Sequence, residues 1–300
     1  MKRFGIVLLC SVFLLPLARG QGDVSVRDTV PEIKPRFWDS ALSEFRTNQL
    51  EMTEEDIIKK IDSLPAFSIY KDNFFITGIS LHDRLNGETA DAKYQISFRQ
   101  RLTTSRLPLN SFLYLTYTQK SFWNIYKQSS PFRDNNYNPG IGLGRYIISN
   151  NKLRGAVFIQ IEHESNGRGE EEESRDINFI SLSGKYFIND NLLIRLNLNP
   201  PFSIGKTNED ITDYRGLGNL SFDYRTHDSR WWFSGSYSPR NEIFTANTTL
   251  TAGYKISTKF NQYIFGELFN GTGDSMLDYK RYDLKLRVGI CIKSDFYNAF

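Results

Sequence analysis

Three residues of the 300-residue chain are spaced to act together. Between Gly155 and Tyr186 the sequence reads GAVFIQIEHESNGRGEEEESRDINFISLSGKY. Its first arm alternates, with Gly155, Val157, Ile159, Ile161, His163 and Ser165 on one face and Phe158, Gln160, Glu162 and Glu164 on the other. The first face is apolar until its last two positions. His163 and Ser165 stand i and i+2 on a strand, so their side chains point the same way with Cα atoms about 7 Å apart. At that separation a serine hydroxyl reaches an imidazole nitrogen. The chain returns through Asn178, Ile180, Leu182, Gly184 and Tyr186, again one alternating face, and antiparallel pairing sets Asn178 beside His163. Nucleophile, base and orienting amide then share a greasy surface. On spacing alone, a solvated strand margin accounts for the same three residues.

A hairpin of this kind needs a sheet to hold it. From Asp72 the chain is a succession of alternating segments of roughly nine to thirteen residues, a length that crosses a bilayer when the strand is tilted. Strands are expected near 72–82, 91–102, 111–122, 139–148, 153–164, 177–188, 192–200, 214–225, 230–238, 243–254, 259–269 and 281–292, about twelve and an even number. Ser149–Lys152, Asn189–Asn191, Thr226–Ser229 and Lys255–Thr258 make short connections, whereas 123–138, 165–176, 201–213 and 270–280 make long ones. Short turns at one end and long loops at the other mark a transmembrane antiparallel β-barrel, and a soluble β-sandwich has no reason to keep that alternation. No stretch beyond the amino terminus approaches the roughly 18 consecutive apolar residues of a membrane helix. If the chain spans a membrane it must therefore be a closed barrel. The 16 Tyr and 23 Phe suit its interfacial girdles, and Trp123, Trp231 and Trp232 are expected there.

Met1-Lys2-Arg3, the apolar run Phe4–Leu17 and Ala18-Arg19-Gly20 fit a signal peptide over 1–20, with Gln21 as the mature start. Its removal takes away three cations and no acid, which cancels the formal charge of +3, so the basic pI is no argument for nucleic acid. Cys291 is then the only thiol and no intrachain disulfide can form. Residues 21–70 differ from the remainder: Pro31, Pro35 and Pro65 interrupt them, and Thr53-Glu-Glu-Asp56 before Ile57, Ile58 and Ile61 reads as a capped helix. They are expected to form an N-terminal periplasmic extension to a barrel over 71–300.

The string His163-Glu-Ser165-Asn166-Gly167-Arg168, followed by Ser174-Arg175 and Asn178, resembles the active-site segment of the outer membrane phospholipase A family of bacteria. Tyr117-Thr-Gln-Lys-Ser-Phe-Trp123, Ser129-Ser-Pro-Phe-Arg-Asp-Asn-Asn-Tyr137-Asn-Pro139, Asp210-Ile-Thr-Asp-Tyr214 and Gly271-Thr-Gly-Asp-Ser-Met-Leu-Asp-Tyr279 resemble it too, in order, from about Asp72 to the carboxyl end. The resemblance implies a calcium-dependent esterase acting on phospholipids as phospholipase A1, A2 and lysophospholipase. In it Ser165 is the nucleophile, His163 the base and Asn178 the residue holding the imidazole tautomer. It implies that Ca2+ is bound by Ser129, the carbonyl of Arg168 and Ser174, and that two barrels pair into an active homodimer, Ser129 coming from the neighbour. Gln119 is implied to join a polar network inside the barrel near Tyr137. Phe300 resembles the terminal signal of outer-membrane barrels.

This chain departs from the family in an acidic, longer loop at Glu170–Glu173 and in Asp176, where a serine is usual. A solvated loop explains the glutamates; concentration of calcium is the functional alternative. Asn208-Glu-Asp210 offers a further carboxylate, Glu209 or Asp210, to a metal. His227-Asp228-Ser229 mimics a second triad but sits in a short turn, and His82 reads as a rim residue. Two other classes remain open here: a non-enzymatic outer-membrane channel or adhesin, and a soluble secreted β-domain.

Overall fold

The structure, a computed structural model, describes residues 53–84, 86, 89–169, 173–241, 245–257 and 260–294. The expected signal peptide, residues up to 52, Glu170–Glu172 and Phe300 lie outside the described residues. The first element is helix α1, Glu54–Ser63, begun by the expected capping box. Thr53 Oγ1 accepts from the Asp56 backbone N–H at 3.3 Å, and Asp56 Oδ2 accepts from the Thr53 N–H at 3.2 Å. Ile57 and Ile61 share the buried face of this helix and pack into a cluster with Phe112, Tyr146, Leu153 and Phe187 from the barrel. Arg101 ties down the helix end, donating to the carbonyls of Ile61, Asp62 and Leu64 at 3.0, 2.6 and 3.0 Å. These are carbonyls that a helix terminus otherwise leaves without partners.

Strands follow as β1 (Phe67–Ile69), β2 (Asn73–Ser80), β3 (Ala90–Arg101), β4 (Ser111–Trp123), β5 (Phe132–Ser149), β6 (Lys152–Ser165), β7 (Asp176–Phe187), β8 (Leu192–Leu198), β9 (Pro201–Ile204), β10 (Gly218–Arg225), β11 (Trp231–Pro239), β12 (Ala246–Lys255), β13 (Gln262–Gly271) and β14 (Asp283–Ile292). Twelve of them, all but the short β1 and β9, form a ring of antiparallel neighbours that closes where β14 pairs with β2. The short turns behave as expected: Asn150 and Asn151 both take φ of +54°, which matches the strand twist across a two-residue hairpin. Ring closure leaves no open edge, and every strand then needs one face for the lumen and one for the surroundings.

The outward face is apolar. Ile96, Ile141, Ile159, Ile161, Ile180, Leu220, Phe222, Leu250, Ile264, Val288 and Ile290 are all exposed, an inversion that water does not tolerate over so large an area but lipid requires. The lumen is charged instead. Lys93 bonds Glu267 and Asp274, each at 2.8 Å, and Arg287 bonds Asp91, Glu267 and Asp274 at 2.8, 3.1 and 2.9 Å, all of them buried. The soluble β-domain is excluded by this pattern.

Several expectations need correction. Strand β5 begins at Phe132 rather than near 139, because Asp134, Asn136 and Asn138 turn inward to a polar lumen, so hydrophobic alternation carries no signal there. The 201–213 loop contains β9 and the short helix α2, Ile211–Arg215, which displaces the next strand from 214 to Gly218. Trp231 faces outward against Phe233 and Tyr254, but Trp232 points into the lumen, donating to Asp223 Oδ1 at 3.1 Å beneath the Lys293 ammonium. Trp123, stacked on Phe132, gives its indole N–H to the Ser130 carbonyl at 2.7 Å.

Candidate active site

Strands β6 and β7 pair in the register expected from their alternation: Ile161 opposite Ile180, His163 opposite Asn178 and Ser165 opposite Asp176. The exposed Ile159, Ile161, Ile180 and Leu182 fix this as the lipid-facing side, so His163 and Asn178 continue an apolar surface with polar groups. His163 Nδ1 and Asn178 Oδ1 are 2.9 Å apart. An amide oxygen can only accept, so the bond requires the proton on Nδ1 and leaves Nε2 basic. Asn138 donates to the His163 carbonyl at 3.1 Å from the lumen side, securing the strand from behind. Ser165, half-buried, ends β6, and among the described residues its hydroxyl enters no hydrogen bond. The His163–Asn178 contact is thus formed, while Ser165 stands two residues along the same face. A nucleophile–base bond of this kind often tightens only with substrate.

The loop after Ser165 is organised by a residue that sequence reading passed over. Asn166 is buried; its Oδ1 accepts the backbone N–H of Arg175 at 3.0 Å and of Arg168 at 3.4 Å, and its Nδ2 donates to the Glu173 carbonyl at 2.7 Å. One side chain therefore clasps both ends of the loop. An Asn directly before Gly, with its tendency to bond the backbone two residues on, was the available clue. Gly167 takes φ of +66°, and a Cβ there would press on the Tyr137 ring at 2.9 Å. Tyr137 in turn lies opposite Ser165. Arg168 is held by Glu173 and donates to the Arg133 carbonyl at 2.6 Å, and Arg133 clamps Asp278 at 2.6 and 2.9 Å.

Gln119 departs from expectation. It lies opposite Tyr137 on the outward face of β4, in contact with Tyr117 at 3.2 Å, Ser121 at 3.2 Å and Tyr94 at 3.5 Å, not inside the barrel. His227 is exposed in the Thr226–Ser229 turn and His82 packs edge-on against Tyr282 at the rim, both as read from sequence.

Oxygen donors surround the loop. A Cβ on Gly169 would meet nothing within 4 Å, which leaves open space beside the Arg168–Gly169 peptide. The Ser174 carbonyl already accepts from Thr207 Oγ1 and, at 2.8 Å, from Arg175, so its hydroxyl is the donor to spare. Hydroxyl and carbonyl oxygens fit a hard cation such as calcium. Ser129 lies exposed with φ of +64° in the β4–β5 connection, and among the described residues no hydrogen bond joins it to Arg168 or Ser174. Asp210 is otherwise engaged: Tyr279 donates to it at 2.5 Å and Lys280 at 2.7 Å, and the Lys280 ammonium, helped by the Tyr279 hydroxyl, holds this carboxyl below the usual carboxylate range.

A closed ring with a greasy exterior and charged lumen is an integral membrane β-barrel, here carrying histidine, serine and asparagine on its lipid-facing side. Comparison with known proteins agrees. A family model described as Phospholipase A1 matches residues 66–292. Phospholipase A1 of Salmonella typhimurium and that of Escherichia coli K12 are each 30% identical over 221 residues, 70% of this chain and 72% of theirs. Outer membrane phospholipase A from Escherichia coli superposes with a TM-score of 0.68 at 25% identity, over 77% of this chain and 99% of that one. The Salmonella typhi outer membrane phospholipase, solved as a dimer with bound calcium, gives 0.69 at 23% identity, over 82% and 100%. The chain belongs to the phospholipase A1 family, and it is a phospholipase of the bacterial outer membrane.

Proposed function

We propose that the protein hydrolyses the acyl esters of phospholipids, with phospholipase A1, A2 and lysophospholipase activity, through Ser165, His163 and Asn178. The observation that carries this is the 2.9 Å contact between His163 Nδ1 and Asn178 Oδ1 on the lipid-facing wall, which leaves Nε2 basic with a serine two residues along the same strand face. Ser165 Oγ attacks the ester carbonyl as its proton passes to His163 Nε2. The new Oγ–C bond gives a tetrahedral oxyanion, which collapses as the alkoxide of the lysolipid leaves with that proton. Water, deprotonated by the same nitrogen, then releases the fatty acid and restores the serine. Asn178 holds the tautomer but adds no negative charge to the imidazolium, so the site gains from a positive centre near the oxyanion. When bound, Ca2+ would polarise the ester carbonyl and stabilise that oxyanion. The Arg168 carbonyl and Ser174 hydroxyl of one barrel, with Ser129 from a neighbouring copy, would hold it.

Pairing of two barrels is supported by the outward Gln119. Among the described residues of its own barrel its Oε1 accepts only from Tyr117, and the remaining lone pair gains when a second copy supplies a donor that lipid cannot. Apolar surface alone would stay in lipid and drive little association. With the long loops outward, residues 1–20 act as a leader and residues 21–70 stay periplasmic, so mature protein should begin at Gln21. The test is fatty-acid release from phospholipid vesicles by refolded protein, with and without calcium, in parallel with crosslinking. Activity should rise with calcium and with the crosslinked dimer. Full activity from a protein shown to be monomeric by ultracentrifugation, or in excess chelator, would overturn the calcium and dimer steps while leaving Ser165 and His163 in place.

A further inference from the structure

Asp176 lies directly opposite Ser165 and two residues before Asn178 on the same outward face. Neighbours paired in this way have Cβ atoms about 5 Å apart. Both of its backbone groups are fastened by the segment after β9. Its N–H donates to Asn208 Oδ1 at 3.2 Å, and its carbonyl accepts from Asn208 Nδ2 at 2.9 Å and from the Gly205 N–H at 3.0 Å. Asn208 itself is buried. The carboxylate is treated differently: among the described residues no hydrogen bond or ion pair takes it. Its Oδ1 and Asn208 Oδ1 converge on Gly205, where a Cβ would collide with both. A half-buried carboxylate with both backbone groups fastened and no cation partner among the described residues thus stands beside an acceptor oxygen and two residues from Ser174. It makes sense if a cation arrives from solution.

We propose that Asp176 is the charged member of the calcium site beside the nucleophile and sets this enzyme's affinity for the ion. The inference rests on the calcium reading above. The remaining donors, the Arg168 carbonyl and the hydroxyls of Ser174 and Ser129, carry no formal charge, and affinity in oxygen-ligated sites rises with the number of charged ligands. One unit charge about 6 Å from a divalent ion, at water-like screening, is worth about a tenfold change in affinity. A negative charge left without the ion would also repel anionic head groups, so calcium would gate access as well as chemistry.

The experiment is equilibrium binding of radioactive calcium to refolded protein in zwitterionic micelles, for wild type, Asp176→Asn and Asp176→Glu. Heat-dependent migration in unboiled gels checks that each barrel is folded. Half-saturating calcium should rise about tenfold in Asp176→Asn, while Asp176→Glu, which keeps the charge, stays within about threefold of wild type. The calcium needed for half-maximal hydrolysis should move by the same factor. A folded Asp176→Asn protein that binds calcium as wild type does overturns the inference and leaves the calcium reading intact. A wild-type protein that binds no calcium overturns both.

Discussion

Two polar constellations in the barrel wall show opposite economies. Inside, Asp91, Lys93, Glu267, Asp274 and Arg287 satisfy one another almost completely: Arg287 alone reaches three carboxylates, and Lys93 two. Outside, on β6 and β7, His163 makes one side-chain hydrogen bond and Ser165 none among the described residues. Both sets are polar, yet the first has nothing left to offer a substrate and the second has little else to do. Charges buried without full partnership cost several kcal/mol each, so the inner set must be closed. Groups at the lipid surface near a polar rim can remain open, and open groups are what chemistry needs. The distinction that matters for chemistry is one of satisfaction.

Breaking the outer set should abolish function without touching the fold. Ser165→Ala and His163→Ala are each expected to lower hydrolysis by about 10⁴-fold or more, while the folded barrel migrates unchanged in unboiled gels. Near-normal turnover from folded Ser165→Ala would move the nucleophile elsewhere. Breaking the inner set should do the reverse. Arg287→Ala leaves Glu267 and Asp274 to share Lys93, and Asp91 with Lys285 alone, so three buried carboxylates are under-compensated and the change should cost roughly 3–5 kcal/mol of stability, read as a lowered urea midpoint in folding titrations. Whatever fraction folds should still hydrolyse phospholipid. If Arg287→Ala unfolded like wild type, the inner network would not be the scaffold its geometry indicates. Asn178→Ala lies between these extremes. It frees the imidazole to choose its tautomer but keeps base and nucleophile, so a loss of about 10- to 100-fold is expected, the range seen when an orienting partner is removed.

How much of this was legible in the sequence follows the same divide. The pairing of His163 with Asn178 could be read because both strands alternate strictly and a register slip would turn every apolar side chain into the lumen. The twelve-strand ring was legible for the same reason, since lipid on one side and water on the other write period two into each strand. Where both faces are polar, that signal vanishes. The start of β5 at Phe132 was missed because Asp134, Asn136 and Asn138 face a lumen as polar as solvent. Trp232 was misplaced because residue type suggested a face that strand parity overrules, since it stands one residue out of phase with the outward Trp231, and Gln119 because the resemblance put it inside the barrel although it shares parity with the outward Leu115 and Tyr117. Asn166 went unread because its role depends on Arg175 and Glu173 folding back from the far side of a loop.

The smallest effect should come from a third arrangement, satisfied but exposed. Asp210 accepts from Lys280 and Tyr279, and Lys280 also lies over the rings of Tyr214 and Tyr279, at 5.7 and 5.4 Å. This joins the loop after β9 to the loop before β14 at the rim. Both charged side chains are substantially solvated, so the pair is screened and its worth is small. The Lys280 ammonium keeps the Asp210 carboxyl below its ordinary range in the folded state. The sign follows from that depression: the contribution is fully present above the unfolded carboxylate value, and is lost as pH falls through the lower, folded one. At neutral pH the loops should stay joined, loosening only below about pH 4. Asp210→Asn should therefore change hydrolysis less than about threefold at pH 7, and its mark should be faster hydrogen exchange across Asn208–Gly216 at neutral pH, matching what wild type shows only in acid. A large loss of calcium binding in Asp210→Asn would instead make this carboxylate a metal ligand, and would move it from the satisfied set to the open one.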